Sequence, residues 1–199
     1  MLKLDNPVSF TVDEQNHISN VLMPLGKKGW SKSDRKTKNI KHKISTHTLQ
    51  NQGCRCAYCE RILERGGVQI EHIAPKDSNE SFCYEPYNLV SSCGICNAIA
   101  NKGAKDTILP PKNNNYVNNN FKIVHPYFDD PDTHIKYQDP EKTVFDKALC
   151  TPKGLETIDF FNWDTLNAYI ARTIIASSRS IPINVAQLIL EISLYKELN

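Results

Sequence analysis

The chain has 199 residues, 40% of them apolar and 23% charged, with a formal net charge of +2. That balance suits a globular chain rather than a disordered or fibrous one. No apolar run reaches the roughly 18 residues of a membrane span; even the stretch from Tyr169 to Ala176 is broken by Arg172. The first ten residues lack the basic start and apolar centre of a secretory signal, so a cytoplasmic location is expected.

Net charge does not argue for a nucleic-acid partner, and four metal-bound thiolates would bring it lower still, but its distribution does. Between Gly26 and Lys43 lie Lys27, Lys28, Lys32, Arg35, Lys36, Lys38, Lys41 and Lys43 against the single acid Asp34. From Phe121 onward acids outnumber bases, 11 to 8. A basic arm for phosphates and an acidic C-terminal part with another task are the expectation.

In chain order, Met1 to Trp30 reads as irregular. Ser31 to Gln50 reads as a helix with Ile40, Ile44 and His47 on one face, capped by Ser31 or Ser33 and ended by Gly53. It carries Lys36, Lys38 and Lys41, the candidate phosphate contacts. Cys56-Ala57-Tyr58-Cys59 forms a first knuckle. After a turn at Gly66-Gly67, the alternating β-branched stretch Val68 to Ile73 reads as a strand. Tyr87 to Ser91 reads as a second extended piece, leading into Cys93-Gly94-Ile95-Cys96. Asn97 to Lys102 reads as a short helix that Gly103 terminates.

Pro110-Pro111 marks a boundary. Lys112 to Asn120, with six Asn, reads as a mobile loop. His125 and His134 read as structural. Asp164 to Ser178 reads as a helix carrying Leu166, Tyr169, Ile170 and Ile174, and Asn184 as the cap of a last helix with Val185, Leu188, Ile189, Ile192 and Tyr195. The expected fold is α+β in three parts: a basic arm at 1–53, a ββα core at 54–109 and a C-terminal helical region at 110–199.

The cysteines carry the strongest signal. There are seven, an odd number, which speaks against a disulfide scaffold. Four form two pairs at x2 spacing. Thiolates at i and i+3 of a tight knuckle point to one centre, and two knuckles close a tetrahedron around zinc. Such a closed site stabilises a fold, by roughly 10–16 kcal/mol, rather than performing chemistry. Cys54 competes with Cys56 as a ligand, and the spacing favours Cys56. Cys83 and Cys150 read as reduced structural thiols.

Between and just after the knuckles lies a polar set: Glu71-His72, Asn88, Asn97 and Lys102. Phosphodiester hydrolysis needs an activated water, charge stabilisation at phosphorus and help for the leaving oxygen. A His can act as the base, and a hard cation held by oxygen ligands can supply the rest. His72 is the candidate base. Glu71 and Asn97 are candidate ligands of Mg²⁺ or Mn²⁺, Asn88 can orient the loop or the ring, and Lys102 can meet a phosphate. Neighbouring strand residues point to opposite faces, so Glu71 and His72 share a site only where the strand ends or bends, near Pro75. A zinc-stabilised binding module would need the cysteines but not this polar set.

Cys56-x2-Cys59, Glu71-His72-x2-Pro75, Asn88-Leu89 and Cys93-x2-Cys96-Asn97-x4-Lys102 together resemble the zinc-bearing HNH endonucleases. The resemblance implies a ββα-metal active site with His72 as general base, Glu71 and Asn97 on the catalytic ion and the four cysteines on zinc. Glu71 stands where that family more often has Asp, and Asn97 where it has His or Asn. The basic arm, His125-Pro126-Tyr127-Phe128-Asp129 and Gly154-Leu155-Glu156-Thr157-Ile158 are similar to the HNH subunit of Septu-type anti-phage systems, relatives of which accompany some retrons. That resemblance implies an ATPase partner, with the C-terminal helices as its docking candidate. It also implies a nucleic-acid substrate, DNA ahead of RNA. A homodimer is left open.

Overall fold

The architecture comes from a computed structural model, which describes residues 1–63 and 67–178. The Gly66 turn and the last helix expected from Asn184 lie outside the described residues. The chain is mixed α+β. Its one sheet among the described residues is an antiparallel pair, β1 (Val68–His72) and β2 (Leu89–Cys93), registered from Val68 opposite Cys93 to His72 opposite Leu89.

The first eleven residues are irregular as expected, but from Val12 the N-terminal stretch is helical where irregular chain was expected. Thr11 and Glu14 form a capping box that opens α1 (Val12–His17), satisfying two donors that a helix start leaves free. A π turn at Ile18–Leu22 and a 3₁₀ turn at Met23–Leu25 lead to α2 (Lys27–Ser31). Gly29 packs under the Leu22 carbonyl, where a Cβ would lie 2.2 Å from that oxygen.

The long basic helix α3 (Arg35–Asn51) is capped by Asp34 rather than by Ser31 or Ser33. Asp34 accepts from the Thr37 amide at 3.1 Å and the Thr37 hydroxyl at 2.7 Å. Hydrogen bonds from both Thr37 groups hold its carboxyl below the usual range. The buried face is Thr37, Ile40, Ile44 and Thr48; His47 instead turns outward to the Asn6 carbonyl. Thr48 bonds Ser91 side chain to side chain at 2.7 Å, and Gln52 closes on both backbone groups of Ser91. These buried bonds fix α3 across one face of β2. Gly53, at φ +58°, follows the helix end as anticipated.

Ile70 and Leu89 turn toward α3 and join Ile40, Ile44 and Leu22, while Val90 faces the other way and packs with Tyr58 and Phe161. A one-turn helix, α4 (Gly94–Asn97), follows β2 directly. The helix expected at Asn97 to Lys102 is therefore displaced. The Cys93 sulfur caps the turn by accepting from the Cys96 amide, which starts the helix three residues earlier. Extended Ala98 (ψ 151°) then stops it. The chain recrosses the helix end through Lys102 N to Cys96 O, and Gly103 turns at φ +48°.

The Asn-rich stretch is built in rather than loose. Asn119 accepts from the Asn113 amide and donates to the carbonyls of Asn113, Asn115 and Tyr116. Tyr116 is thereby pressed into a core with Phe82, Ile108 and Phe121. Beyond it come α5 (Pro131–His134), α6 (Pro152–Phe160), capped by Thr151, and α7 (Leu166–Ser178). On α7 Ile175 is buried, whereas Leu166, Ile170 and Ile174 are exposed. Among the described residues no helix is long and apolar enough to cross a membrane.

Candidate metal centre and polar site

The first knuckle is a tight hairpin. Arg55 pairs with Ile62, the Cys56 amide bonds the Arg61 carbonyl, and Glu60 adopts φ +63° to complete the turn. The second knuckle joins β2 to α4. Their meeting places the sulfurs of Cys56, Cys59, Cys93 and Cys96 within 4.8 Å of one another. Zn–S bonds of about 2.3 Å in a tetrahedron require sulfurs about 3.8 Å apart, and Cys59 and Cys93 stand at 3.7 Å. That separation is far beyond the ~2.05 Å of a disulfide.

The Cys93 amide donates to the Cys56 sulfur and the Cys96 amide to the Cys93 sulfur, both at 3.4 Å, the kind of support that bound thiolates receive. Crowding divides the protons unevenly. Hydrogen bonds from neighbouring thiols, Cys56 foremost, push Cys59 and Cys93 down. Burial pushes Cys56 up, and the neighbouring sulfurs push Cys96 up. A divalent cation replaces such shared protons. The four-cysteine cluster can hold a metal ion such as zinc, and Cys54, although buried, is outside it.

The polar set sits at the end of β1. His72 is buried, and its ring meets the Trp30 ring edge-on at 4.4 Å. His72 Nε2 lies 3.0 Å from the Cys83 carbonyl oxygen. A carbonyl only accepts, so Nε2 carries the proton and Nδ1 keeps its lone pair. Burial, reinforced by the charge of Lys76, pushes the imidazole down to about 3, so the ring is neutral at neutral pH.

Asn88 is fully buried and makes four hydrogen bonds. It accepts from the Ala74 amide at 2.6 Å and from Tyr116 Oη at 2.9 Å, and donates to the carbonyls of Ala74 at 3.0 Å and Phe82 at 2.8 Å. One side chain thus ties the chain just after His72 to the loop whose Cys83 carbonyl holds His72. Tyr116 also meets His125 Nε2 at 3.0 Å, and His125 Nδ1 accepts from the Tyr127 amide. Since Tyr116 donates to Asn88, His125 Nε2 is the donor to Tyr116. His125 is structural, as its sequence suggests, but it belongs to the chain of contacts supporting Asn88.

Glu71 and His72 leave β1 on opposite faces, but they are its last two residues, so the strand ends at the point where the two would share a site. Glu71 is buried and ion-paired with Lys102, itself only 1% exposed. Burial pushes the Glu71 carboxyl up and the Lys102 ammonium down, and each opposes the other's shift by its charge. Lys102 is therefore not at the surface where a phosphate would meet it. Two residues back on the Glu71 face, Gln69 accepts from the Asn97 side-chain amide at 2.7 Å, which leaves the Asn97 oxygen out of that bond. Glu71 Oε1 contacts Lys102 as an ion pair without hydrogen-bond geometry. The donors on this face are carboxylate and amide oxygens, the set that suits a hard cation.

Of the arm lysines, Lys36 and Lys38 are exposed on α3. Lys41 bonds the Lys32 carbonyl at 3.3 Å and lies 5.4 Å over the Trp30 ring. Residue spacing does not point to Trp30, Cys83, Lys76 or Tyr116. Each reaches the site from a separate segment, and the only local signal is that Lys76 directly follows Pro75.

Fold and site together define a small α+β protein organised on a four-cysteine cluster that can hold a metal ion, with a buried His at the end of the adjoining strand. No family profile matches the chain. It is 24% identical over 184 residues to the Septu protein PtuB of Bacillus thuringiensis, an alignment that takes in 90% of this chain. The chain spans about 60% of the length of that curated relative.

Proposed function

We propose that this chain is a metal-dependent HNH-type endonuclease acting in a Septu-like anti-phage complex. The distant similarity to a Septu protein supports the defence role. The observation that carries the nuclease reading is His72: a neutral imidazole whose Nε2–H is held by the Cys83 carbonyl and whose Nδ1 is left as the proton acceptor.

In this reading β1, β2 and α4 are the ββα unit and the four cysteines hold structural zinc. Glu71 and Asn97 would hold Mg²⁺ or Mn²⁺, which supplies charge stabilisation at phosphorus and at the leaving oxygen. His72 Nδ1 takes a proton from water as the water oxygen bonds to phosphorus and the bond to O3′ breaks. Asn88 is a positioning residue, since it pins both chain segments that frame the ring. Lys102 balances the buried Glu71 charge. Exposed Leu166, Ile170 and Ile174 on α7 are the proposed contact with an ATPase subunit. The basic face of α3, with Lys36, Lys38 and Lys41, is proposed to lie along the nucleic acid, DNA ahead of RNA.

The test offers plasmid, single-stranded DNA and RNA to the purified chain with Mg²⁺ or Mn²⁺, alone and with the ATPase subunit and nucleotide. Wild type cuts, and His72→Ala loses at least about 100-fold while keeping its zinc. Equal cutting by both, or no cutting in any combination, refutes the nuclease and leaves a binding module.

A further inference from the structure

Lys102, the lysine that sequence spacing offers to a phosphate, is consumed by Glu71. The site nevertheless contains an unneutralised cation. Lys76 follows Pro75, four residues after His72, in a turn closed by Ser78 N to Pro75 O and by the Asn79 side chain to the same carbonyl. It is half-buried, and among the described residues no ion pair engages it. Of the surrounding acids, Asp77, Asp106 and Glu71 are engaged elsewhere. Asp77 faces Lys27 at 3.5 Å, Asp106 takes Lys112 and the Asn79 amide, and Glu71 has Lys102. Glu80 lies over Gly26, where a Cβ would come within 2.3 Å of its carboxylate.

The charge of Lys76 is felt at Glu71, His72, Cys83 and Lys102. Asn88 fixes the position of Lys76 indirectly, by clamping Ala74 two residues upstream. The His72 ring also meets Trp30, with Lys41 over the indole. The candidate base is thus flanked by cations from two separate segments, one on α3 and one after β1. A polyanion crossing His72 meets both.

We propose that Lys76 is the phosphate-binding residue of this site, in the place that the sequence assigns to Lys102, and that a nucleic-acid backbone crosses His72 between Lys76 and Lys41. This rests on the nuclease reading and adds to it the residue that grips the substrate. A phosphate there also offsets the cation that most opposes protonation of His72.

The test is equilibrium binding without added Mg²⁺ or Mn²⁺, so that no cleavage intervenes. Fluorescein-labelled short DNA duplex, its single strand and the matching RNA are titrated with full-length wild type, Lys76→Gln, Lys76→Arg and the control Lys122→Gln, whose ammonium lies 5.2 Å over the Phe160 ring, over a series of salt concentrations. Thermal melting checks that each variant folds. Lys76→Gln weakens binding and lowers the slope of log K against log salt by about 0.7–0.9, one phosphate contact; Lys76→Arg restores both, and Lys122→Gln changes neither. Binding that Lys76→Gln leaves unchanged in strength and slope overturns the assignment of Lys76 while the nuclease reading stands. No binding of any polymer by wild type overturns both.

Discussion

Replacing Asn88 by alanine removes four hydrogen bonds from a fully buried position: two to Ala74, one to the Phe82 carbonyl and one from Tyr116. At roughly 1 kcal/mol net for each, the loss comes to about 4 kcal/mol. For a chain of this size that is a fall in melting temperature of about 8–16 °C. Tyr116→Phe deletes one of those bonds together with the one from His125 and costs about 1–2 kcal/mol. The double variant loses less than the sum, because the Tyr116 hydroxyl has already lost its acceptor when Asn88 is gone. Urea unfolding of the zinc-loaded chain measures all three, and an unchanged m-value shows that the same unit is unfolding. A shift below about 1 kcal/mol for Asn88→Ala, or strict additivity in the cycle, would show that Asn88 does not clamp the two loops.

Cys96→Ser is expected to lose the bound zinc, counted by metal analysis, and to melt far below wild type, whereas Cys54→Ser keeps the metal. Breaking the buried pair by Glu71→Gln or Lys102→Met alone costs about 3–5 kcal/mol, because each leaves a charge without its partner; the double variant recovers much of that loss, as a urea titration can show. Stability also depends on pH through His72. Its folded value of about 3 lies below its unfolded one. The unfolded chain therefore takes up protons first as pH falls from about 6.5, so stability is full above that value and is lost on the way down to 3. His125 is depressed in the same direction by burial. His72→Gln should flatten only part of the slope, and an identical pH profile in that variant would contradict a buried neutral His72.

The sequence is most legible where function needs neighbours at fixed short spacing. The two knuckles are readable because i, i+3 thiolates must converge whatever surrounds them, and the sulfurs do lie together. The strand at Val68 is readable from alternation, and the α3 core face from Ile40 and Ile44. Caps were harder to place. Asp34 displaced two serines because its carboxylate reaches both Thr37 groups, and Cys93 capped α4 with a sulfur, which no helix-start rule lists. The Asn tract reads as loose from composition alone, because nothing local reveals that Asn119 folds it upon itself and buries Tyr116.

The sequence by itself determined the four-cysteine knuckle, the α+β class and the nomination of His72, since each depends on residue type and short-range spacing. Only the tertiary structure decided what surrounds them. It gave Lys102 to Glu71 and left Lys76 without an ion pair among the described residues, brought Trp30 and the Cys83 carbonyl to His72, and made Asn88 the clamp between two loops. Those assignments depend on which distant segments meet at the end of β1, and the competition among buried charges and hydrogen-bonding groups for partners is settled only when the chain is packed.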